Sequence, residues 1–592
     1  MRRVLMGVVA MVLAMGLAGP AAADDDPAMF TWGSNRFGQL GNQSVVGKSL
    51  VPVVVTAGAL AGKRVTSVTG GGLHTCALAE SKAYCWGRNV EGQLGNGESG
   101  ADVQSAVPVA VVGLPEPVTT ISAGDLHTCA LAAGAMYCWG EGEAGQVGDG
   151  ALTFRPLPTL VDTSGVLKNK TITSIDAGVA HTCAVADGAP YCWGGNFFGQ
   201  VGNGTTGLQV PLPVAVDVAP FGGQPVTTIR AGRFHTCALA GGKAFCGGAN
   251  TFGQLGDDTT DPKSVPVAVK MTGALDGKSF TAVRTGGNHT CALTDGKPYC
   301  WGDNFLGQLG SATPDDSDVP VPVVTSGALA GKAITALTLG NAFSCVVADG
   351  QPICWGYNFS GELGRGSAEA SSQVPLAVVT SGVLAGTVAR TISGGSDHAV
   401  YVAAQVPTVP RGVVASAGPG AVTVSWEVPK DDGGRAISGY RVSTAGGSCE
   451  TAGLSCTVSG LTPGQAYTLN VVARNAIGDS AVGSVLATPG TVPVVDPPEI
   501  IKVKQTFAVP KKLKKRGVTV IAAKGAKTSA GVPVTTTVKT RGKVKVIRKG
   551  GAVKIRGLGA KKWRVTVTQT APGSETAEPL RQRVVYVNGK RR

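Results

Sequence analysis

The spacing of one dipeptide limits what this chain can fold into. Trp-Gly steps begin at Trp32, Trp86, Trp139, Trp193, Trp301 and Trp355, and Gly247 stands where a further tryptophan would fall. Successive intervals are therefore 54, 53, 54, 54, 54 and 54 residues. Self-similarity at a period of about 50 residues marks a repeat array in which each unit buries its apolar face against its neighbours. Four short β-rich runs per unit point to propeller blades, whose radial closure leaves few exposed strand edges. The expected fold class is all-β.

Six of the units carry two cysteines nine positions apart: Cys76 and Cys85, Cys129 and Cys138, Cys183 and Cys192, Cys237 and Cys246, Cys291 and Cys300, Cys345 and Cys354. Five pairs are centred on Ala133-Gly134, Asp187-Gly188, Gly241-Gly242, Asp295-Gly296 and Asp349-Gly350, which favour two-residue type I′ hairpins. The first pair is centred on Glu80-Ser81 and lacks that turn chemistry. Counting outward from such a turn sets each cysteine opposite its mate at a non-hydrogen-bonded position, where Cα atoms lie roughly 4.5 Å apart. That geometry fits a disulfide. A metal site built from His74, Cys76 and Cys85 offers only three ligands and no Cys-x-x-Cys knuckle. Free buried thiols are the other alternative.

The His-Thr-Cys-Ala-Leu and Trp-Gly-x-Asn-x-x-Gly-Gln-Leu-Gly signatures closely resemble the regulator of chromosome condensation repeat family. The resemblance implies a seven-bladed β-propeller, expected over residues 29–402. Asp397-His-Ala-Val-Tyr401 and Met29-Phe-Thr-Trp-Gly33 together supply one strand pair, with Val400 and Thr31 at the cysteine positions. One blade is thus expected to be completed by both ends of the array. The nucleotide-exchange function of eukaryotic members depends on a specialised insertion, which these uniform units lack. The exported bacterial branch of the family is more apt, and it includes propellers that inhibit β-lactamases through loops on one face.

Residues 1–23 have the layout of a cleavable secretory signal: Met1-Arg-Arg, an apolar run from Val4 to Ala18, then Ala21-Ala22-Ala23. The apolar run is about 15 residues against the roughly 20 that span a bilayer, so no transmembrane segment is expected. Export also accounts for fourteen cysteines that resolve into local pairs with none left over. The expected localisation is extracellular or associated with the cell envelope.

Residues 406–489 change pattern. Val422-Thr-Val-Ser-Trp426, Gly460-Leu-Thr-Pro-Gly464 and Tyr467-Thr-Leu-Asn-Val-Val-Ala-Arg-Asn475 resemble a fibronectin type III domain, which implies a seven-stranded sandwich with Trp426 and Tyr467 in core or corner positions. Cys449 and Cys456 look like a loop disulfide private to this chain. Beyond a Pro-rich linker, residues 499–592 hold 25 of the 52 lysines and arginines but only 3 of the 38 acidic residues, a net charge of +22 within an overall +14. Period-2 runs there, such as Lys543-Val-Lys-Val-Ile547 and Trp563-Arg-Val-Thr-Val567, predict a small β-rich domain with one basic face. Lys511, Lys512, Lys514, Lys515, Arg516, Arg541, Lys543, Lys545, Arg548 and Lys549 are the candidate polyanion contacts.

No enzyme constellation is present. All six histidines, His74, His127, His181, His235, His289 and His398, occupy one repeat position and read as structural hydrogen-bonding residues. No His-Glu-x-x-His or Gly-x-Ser-x-Gly occurs, and no catalytic, cofactor or metal residue is expected. The loops beside the Gly-Gln-Leu-Gly turns vary where the scaffold repeats, so specificity is expected there. The candidate ligand contacts are Phe37, Phe154, Arg155, Phe197, Phe198, Phe252, Phe305 and Phe359. The chain thus reads as a monomeric, secreted, non-catalytic binding protein. Its propeller loops would take a protein or glycan, and its basic region an anionic envelope polymer or lipid surface, with no nucleic acid expected. The alternative is a propeller inhibitor of an extracellular enzyme, such as a β-lactamase or wall enzyme.

Overall fold

Turn chemistry sets the strand pairing. In the computed structural model, which describes residues 29–490 apart from 57 and 368 together with seven strands between 516 and 591, every cysteine hairpin of the repeat turns on two residues of positive φ. Asp187 and Gly188 have φ of 49° and 75°. Glu80 and Ser81 adopt the same turn at 51° and 65° although neither is glycine, so the flanking strands impose the conformation that the sequence there does not favour. The expected signal segment 1–23 lies outside the described residues.

Each hairpin sets its cysteines directly opposite one another, and all six facing pairs are disulfides with Cα atoms 4.0–4.1 Å apart. Cys76 faces Cys85, Cys129 faces Cys138, and Cys183 faces Cys192. Further along the array Cys237 faces Cys246, Cys291 faces Cys300, and Cys345 faces Cys354. Neither the three-ligand metal site nor the free thiols therefore describe these positions. The Cα separation is slightly tighter than the roughly 4.5 Å of an unlinked pair, because the sulfur bridge draws the two strands together. Cys449 and Cys456 form a seventh disulfide, and no described cysteine is free.

Between residues 29 and 403 the strands form seven four-stranded antiparallel sheets. Blade 1 runs outward through Val65–Gly70, His74–Ala79, Lys82–Arg88 and Gln104–Ala110. Blades 2 to 6 follow in order and contain Cys129, Cys183, Cys237, Cys291 and Cys345. Blade 7 joins Ala389–Gly394 and His398–Ala403 from one end of the array to Met29–Ser34 and Lys48–Val54 from the other, with Thr31 opposite Val400. The two ends therefore close the ring by strand pairing.

Apolar cores form between blades. Cys76, Leu78, Cys85 and Leu94 of blade 1 pack on Ile121, Ala130 and Trp139 of blade 2. Burial of a tryptophan in such a core is worth about 3–5 kcal/mol against alanine. Its indole also has a set partner: Trp139 Nε1 donates to the Gln93 carbonyl at 2.9 Å, from the glutamine of the preceding blade's Gly-Gln-Leu-Gly turn. The same bond recurs at Trp86, Trp193, Trp301 and Trp355.

Seven glycines three positions ahead of the repeat histidine, from Gly71 to Gly395, crowd the axis. A Cβ on any of them would come within 2.4–2.9 Å of a neighbouring blade's carbonyl oxygen. That approach lets seven backbone hydrogen bonds run blade to blade in one sense, from Gly72 N–H to Gly124 O through to Ser396 N–H to Gly71 O.

The fibronectin-like sandwich pairs a three-stranded sheet (Arg411–Gly418, Ala421–Glu427, Ser455–Ser459) with a four-stranded one (Gly439–Thr444, Gly447–Thr451, Tyr467–Arg474, Gly483–Ala487) around buried Val422, Val424, Trp426, Val442, Leu469 and Val471. Asp431 reaches from it to the propeller. Arg64 Nε lies 2.7 Å from its Oδ2 and Arg390 Nη1 2.9 Å. Burial opposes ionisation of Asp431, but the Arg390 and Arg64 guanidinia overcome it and hold the carboxyl below its usual range. Asn475 Nδ2 donates to Gln405 O and Asp432 O, bracing the same junction.

Candidate functional site

The histidines are settled by their partners. Thr128 Oγ1 donates to Gln93 O at 2.9 Å, so it accepts from His74 Nε2–H at 2.8 Å, and the bond crosses from blade 1 to blade 2. His127, His181, His235, His289 and His398 repeat it toward Thr182, Thr236, Thr290, Ser344 and Thr75. All six are buried, and each Nδ1 has no partner. A second proton would be an unpaired buried charge, so burial first and neighbouring histidines second push His74 down to about 3. These rings are scaffold, not bases. Phe343 takes the same position in blade 6.

The variable loops share one face with the axial glycines, because the residue two past each repeat tryptophan, at the end of the third strand, bonds back to the loop before the histidine, as Arg88 N–H does to Leu73 O and Gly195 N–H to Ala180 O. On that face Phe197, Phe305 and Phe359 hold one repeat position, four residues past the tryptophan, in blades 3, 5 and 6. They are 61%, 83% and 58% exposed. Phe197 meets Phe198 edge-on at 4.9 Å, and Phe198 leans on Phe234 at 5.4 Å. Phe359 stacks on Tyr357 and lies under Lys48 Nζ at 4.9 Å. Phe37 is half-buried with the Arg88 guanidinium 5.8 Å from its ring centre, and Phe252 is half-buried in its turn. Phe154 is exposed beside Arg155, which begins the outermost strand of blade 2 and is already engaged with Asp149 at 2.7 Å. The sequence reading missed Phe234 and Arg233. Their ring and guanidinium face each other at 5.2 Å, and the signal was their place directly before His235.

Blades 1 and 2 carry acid on the same face. Burial raises Asp125, which accepts from Ser396 Oγ at 3.3 Å. Burial, then the charges of Glu91, Glu143 and Asp125, raise Glu141. Asp303, which accepts from Phe305 N–H in blade 5, and Asp397 in blade 7 are likewise raised by burial, so acidic and aromatic groups alternate around this face.

In the basic region, Lys511, Lys512, Lys514, Lys515 and Lys543 lie outside the described residues. Arg516, Arg541, Lys545, Arg548 and Lys549 lie on strands. The pairing of Thr535–Arg541, Arg564–Ala571 and Leu580–Val587 sets Arg541 against Arg564 and Thr570 against Arg581. Lys539, Arg541, Arg564, Arg581 and Arg583 therefore share one face of that sheet, and Val538, Val565, Val567, Val584 and Tyr586 the other. In the second sheet Lys545 stands opposite Arg556 with Lys549 on the same face, whereas Arg548 falls on the opposite one. Among the described residues no helix is long and apolar enough to cross a membrane.

Residues 28–401 match the RCC1-like domain, and residues 408–488 the fibronectin type III domain. The ultraviolet-B receptor UVR8 of Arabidopsis thaliana is 29% identical over 366 residues, spanning 60% of this chain and 79% of the plant protein. The E3 ubiquitin-protein ligase HERC2 of Homo sapiens is 30% identical over 294 residues, which is 48% of this chain but only 6% of the ligase. Among solved structures, human WBSCR16 aligns with a TM-score of 0.56 at 21% identity, covering 64% of this chain and all of that one. Prp20p from Saccharomyces cerevisiae aligns with a TM-score of 0.54 at 20% identity, covering 64% of this chain and 91% of that one.

Proposed function

Because this chain belongs to the RCC1-like domain family across residues 28–401, we propose that it is a secreted, non-catalytic binding protein whose propeller face recognises a protein or glycan ligand while its basic region holds it at an anionic envelope surface. One observation carries the reading: three phenylalanines at a single repeat position stand exposed on the loop face, where an unliganded protein gains nothing by showing them to water. Aromatic anchors of this kind dominate binding energy at recognition surfaces. The acidic groups among them, such as Asp125, Glu141 and Asp303, supply polar discrimination. Seven local disulfides favour an oxidising compartment. A sheet with five basic residues on one face suits a polyanionic surface. The receptor and ligase roles of UVR8 and HERC2 belong to those whole proteins, and what they share with this chain is the repeat propeller.

The test uses the full chain on isolated envelopes and on panels of envelope proteins and glycans. The Phe197→Ser, Phe305→Ser, Phe359→Ser triple variant is expected to melt as the parent does and lose the ligand. Replacing Arg541, Arg564, Arg581 and Arg583 with glutamine is expected to weaken envelope binding and flatten its salt dependence. Unchanged ligand capture by the triple variant overturns the face assignment. Stoichiometric inhibition of a β-lactamase or wall enzyme by the parent establishes the inhibitor role instead.

A further inference from the structure

Among the residues that each innermost strand contributes to the central channel, one stands five positions ahead of the repeat histidine or its Phe343 equivalent: Thr69, Ser122, Asp176, Arg230, Arg284, Thr338 and Ser393. Five of these act as clamps that accept a hydrogen bond from the next blade's backbone. Ala123 N–H donates to Thr69 Oγ1 (3.2 Å), Ala177 N–H to Ser122 Oγ (3.0 Å), Ala231 N–H to Asp176 Oδ2 (2.8 Å), Gly394 N–H to Thr338 Oγ1 (2.8 Å) and Gly70 N–H to Ser393 Oγ (3.1 Å). A guanidinium accepts nothing. At Arg230 and Arg284, in adjacent blades 4 and 5, the clamp is therefore lost.

The two arginines are poorly compensated. Arg230 Nη1 reaches Asp176 Oδ1 at 3.2 Å and Ile229 O at 3.3 Å, but its buried Nε–H has no partner. Arg284 Nη1 donates to Val283 O at 2.9 Å and pairs with no carboxylate among the described residues. Burial first, then the Arg230 charge, lower Arg284 to about 10, with Asp176 opposing. Asp176, Arg230 and Arg284 are the charged side chains lining a cavity of about 480 Å³, so the channel carries one uncompensated positive charge. A serine or threonine at either position would keep the clamp and avoid burying a cation.

We propose that the channel is a binding site for a small oxyanion, bridged by the guanidinia of Arg230 and Arg284. The fork of each guanidinium matches the paired oxygens of a phosphate or a carboxylate. A bound anion would satisfy the Arg230 Nε–H and neutralise the channel. Asp176 competes with it for Arg230 while holding Ala231 in place.

The probes are inorganic phosphate and succinate, titrated calorimetrically into the full chain, with sodium chloride of equal ionic strength as control. One or both are expected to bind and to raise the melting temperature where chloride does not, and the difference between the two arms assigns the anion as phosphate or carboxylate. Arg284→Gln, at a position whose neighbours in the ring are neutral in blades 1, 2, 6 and 7, is expected to fold and to weaken binding about tenfold or more, the scale of one charge-assisted hydrogen bond. Asp176→Asn keeps an acceptor for Ala231 N–H and removes the competing charge, so it is expected to tighten binding several-fold. Parent protein that responds to neither anion beyond chloride overturns the proposal. So does an Arg284→Gln variant that binds as the parent does, or an Asp176→Asn variant that binds more weakly.

Discussion

Thr31 lies directly opposite Val400, at the register position where the other six blades carry a disulfide. The one blade built from both ends of the array is thus the one without a covalent bond across its central strand pair. Thr31→Cys with Val400→Cys is expected to form a disulfide spontaneously, because equivalent pairs have Cα atoms 4.0–4.1 Å apart. Closing so long a loop should stabilise by up to roughly 6 kcal/mol in the chain-entropy model. Thiol titration and denaturant midpoints with and without reductant check it. A midpoint indifferent to reductant at this pair would overturn the closure argument.

The histidine ring makes the propeller acid-sensitive. His74, His127, His235 and His289 are held at about 3 and His181 and His398 at about 4. An unfolded histidine takes up its proton near 6.5, so the unfolded state binds more protons between these values. The stability the neutral rings contribute is present above about pH 6.5 and is lost as pH falls toward 3–4, by up to about 1.4 kcal/mol per histidine per pH unit. His181→Phe, copying Phe343, is expected to cost about 1–3 kcal/mol at pH 7.5 and to flatten the acid slope by one proton. Urea midpoints measured from pH 4 to 8 decide the matter.

Blade 6 carries Glu362 where other blades have glutamine. Ser360 N–H donates to its Oε2, its Oε1 is buried without a partner, and burial pushes the carboxyl up to about 7. The folded state therefore binds the extra proton between pH 4.5 and 7, and stability falls as pH rises through that window. Glu362→Gln is expected to stabilise by about 2–3 kcal/mol at pH 8 and to make no difference below pH 4.5. A gain that is constant with pH would mean that packing, not ionisation, is responsible.

Asp431 joins the sandwich to the propeller through Arg64 and Arg390. Because its carboxyl is held below the usual range, the junction's contribution is present above about pH 4 and is lost as pH falls through the lowered value. Asp431→Ala at neutral pH is expected to free the two domains from a fixed orientation, seen as a broadened solution-scattering envelope and faster proteolysis near Gln405 and Val406. Both domains should keep their own folds, as judged by circular dichroism.

Ser81 sits at φ 65° in the one hairpin turn without glycine. Ser81→Gly is expected to stabilise by about 1 kcal/mol, since only glycine enters this region without a steric cost. The same exchange at an ordinary strand position would destabilise, so thermal melts of the two variants separate turn relief from a general effect.

The repeat made most of the scaffold legible. Asp-Gly at the hairpin centres determines which cysteines face each other, and the split Trp32 and His398 strands show how the ring closes. The Glu80-Ser81 turn was hidden because its sequence gives no local preference, and the pairing of its strands overrides that silence. The channel residues were visible in principle, five positions ahead of each histidine, but hydroxyls, a carboxylate and two arginines share no hydrophobic period and make sense only as neighbours around a ring. Arg155, a candidate ligand contact on sequence alone, is held by Asp149, a pairing that depends on how the loop folds back. The basic face needed the strand register, which assembled Lys539, Arg564, Arg581 and Arg583 from distant stretches with Arg541.

Six cross-links lie within single hairpins, nine residues apart, the seventh joins consecutive strands of the sandwich's two sheets rather than closing a loop, and none ties one blade to another. Fourteen cysteines admit a very large number of pairings, yet here the correct partner is always the nearest one along the chain. Oxidation can therefore run hairpin by hairpin, in any order, without waiting for distant parts of the chain and without scrambling. Sulfur chemistry records only which hairpins have formed; whether the circle is complete depends entirely on strands, indoles and imidazoles finding their neighbours.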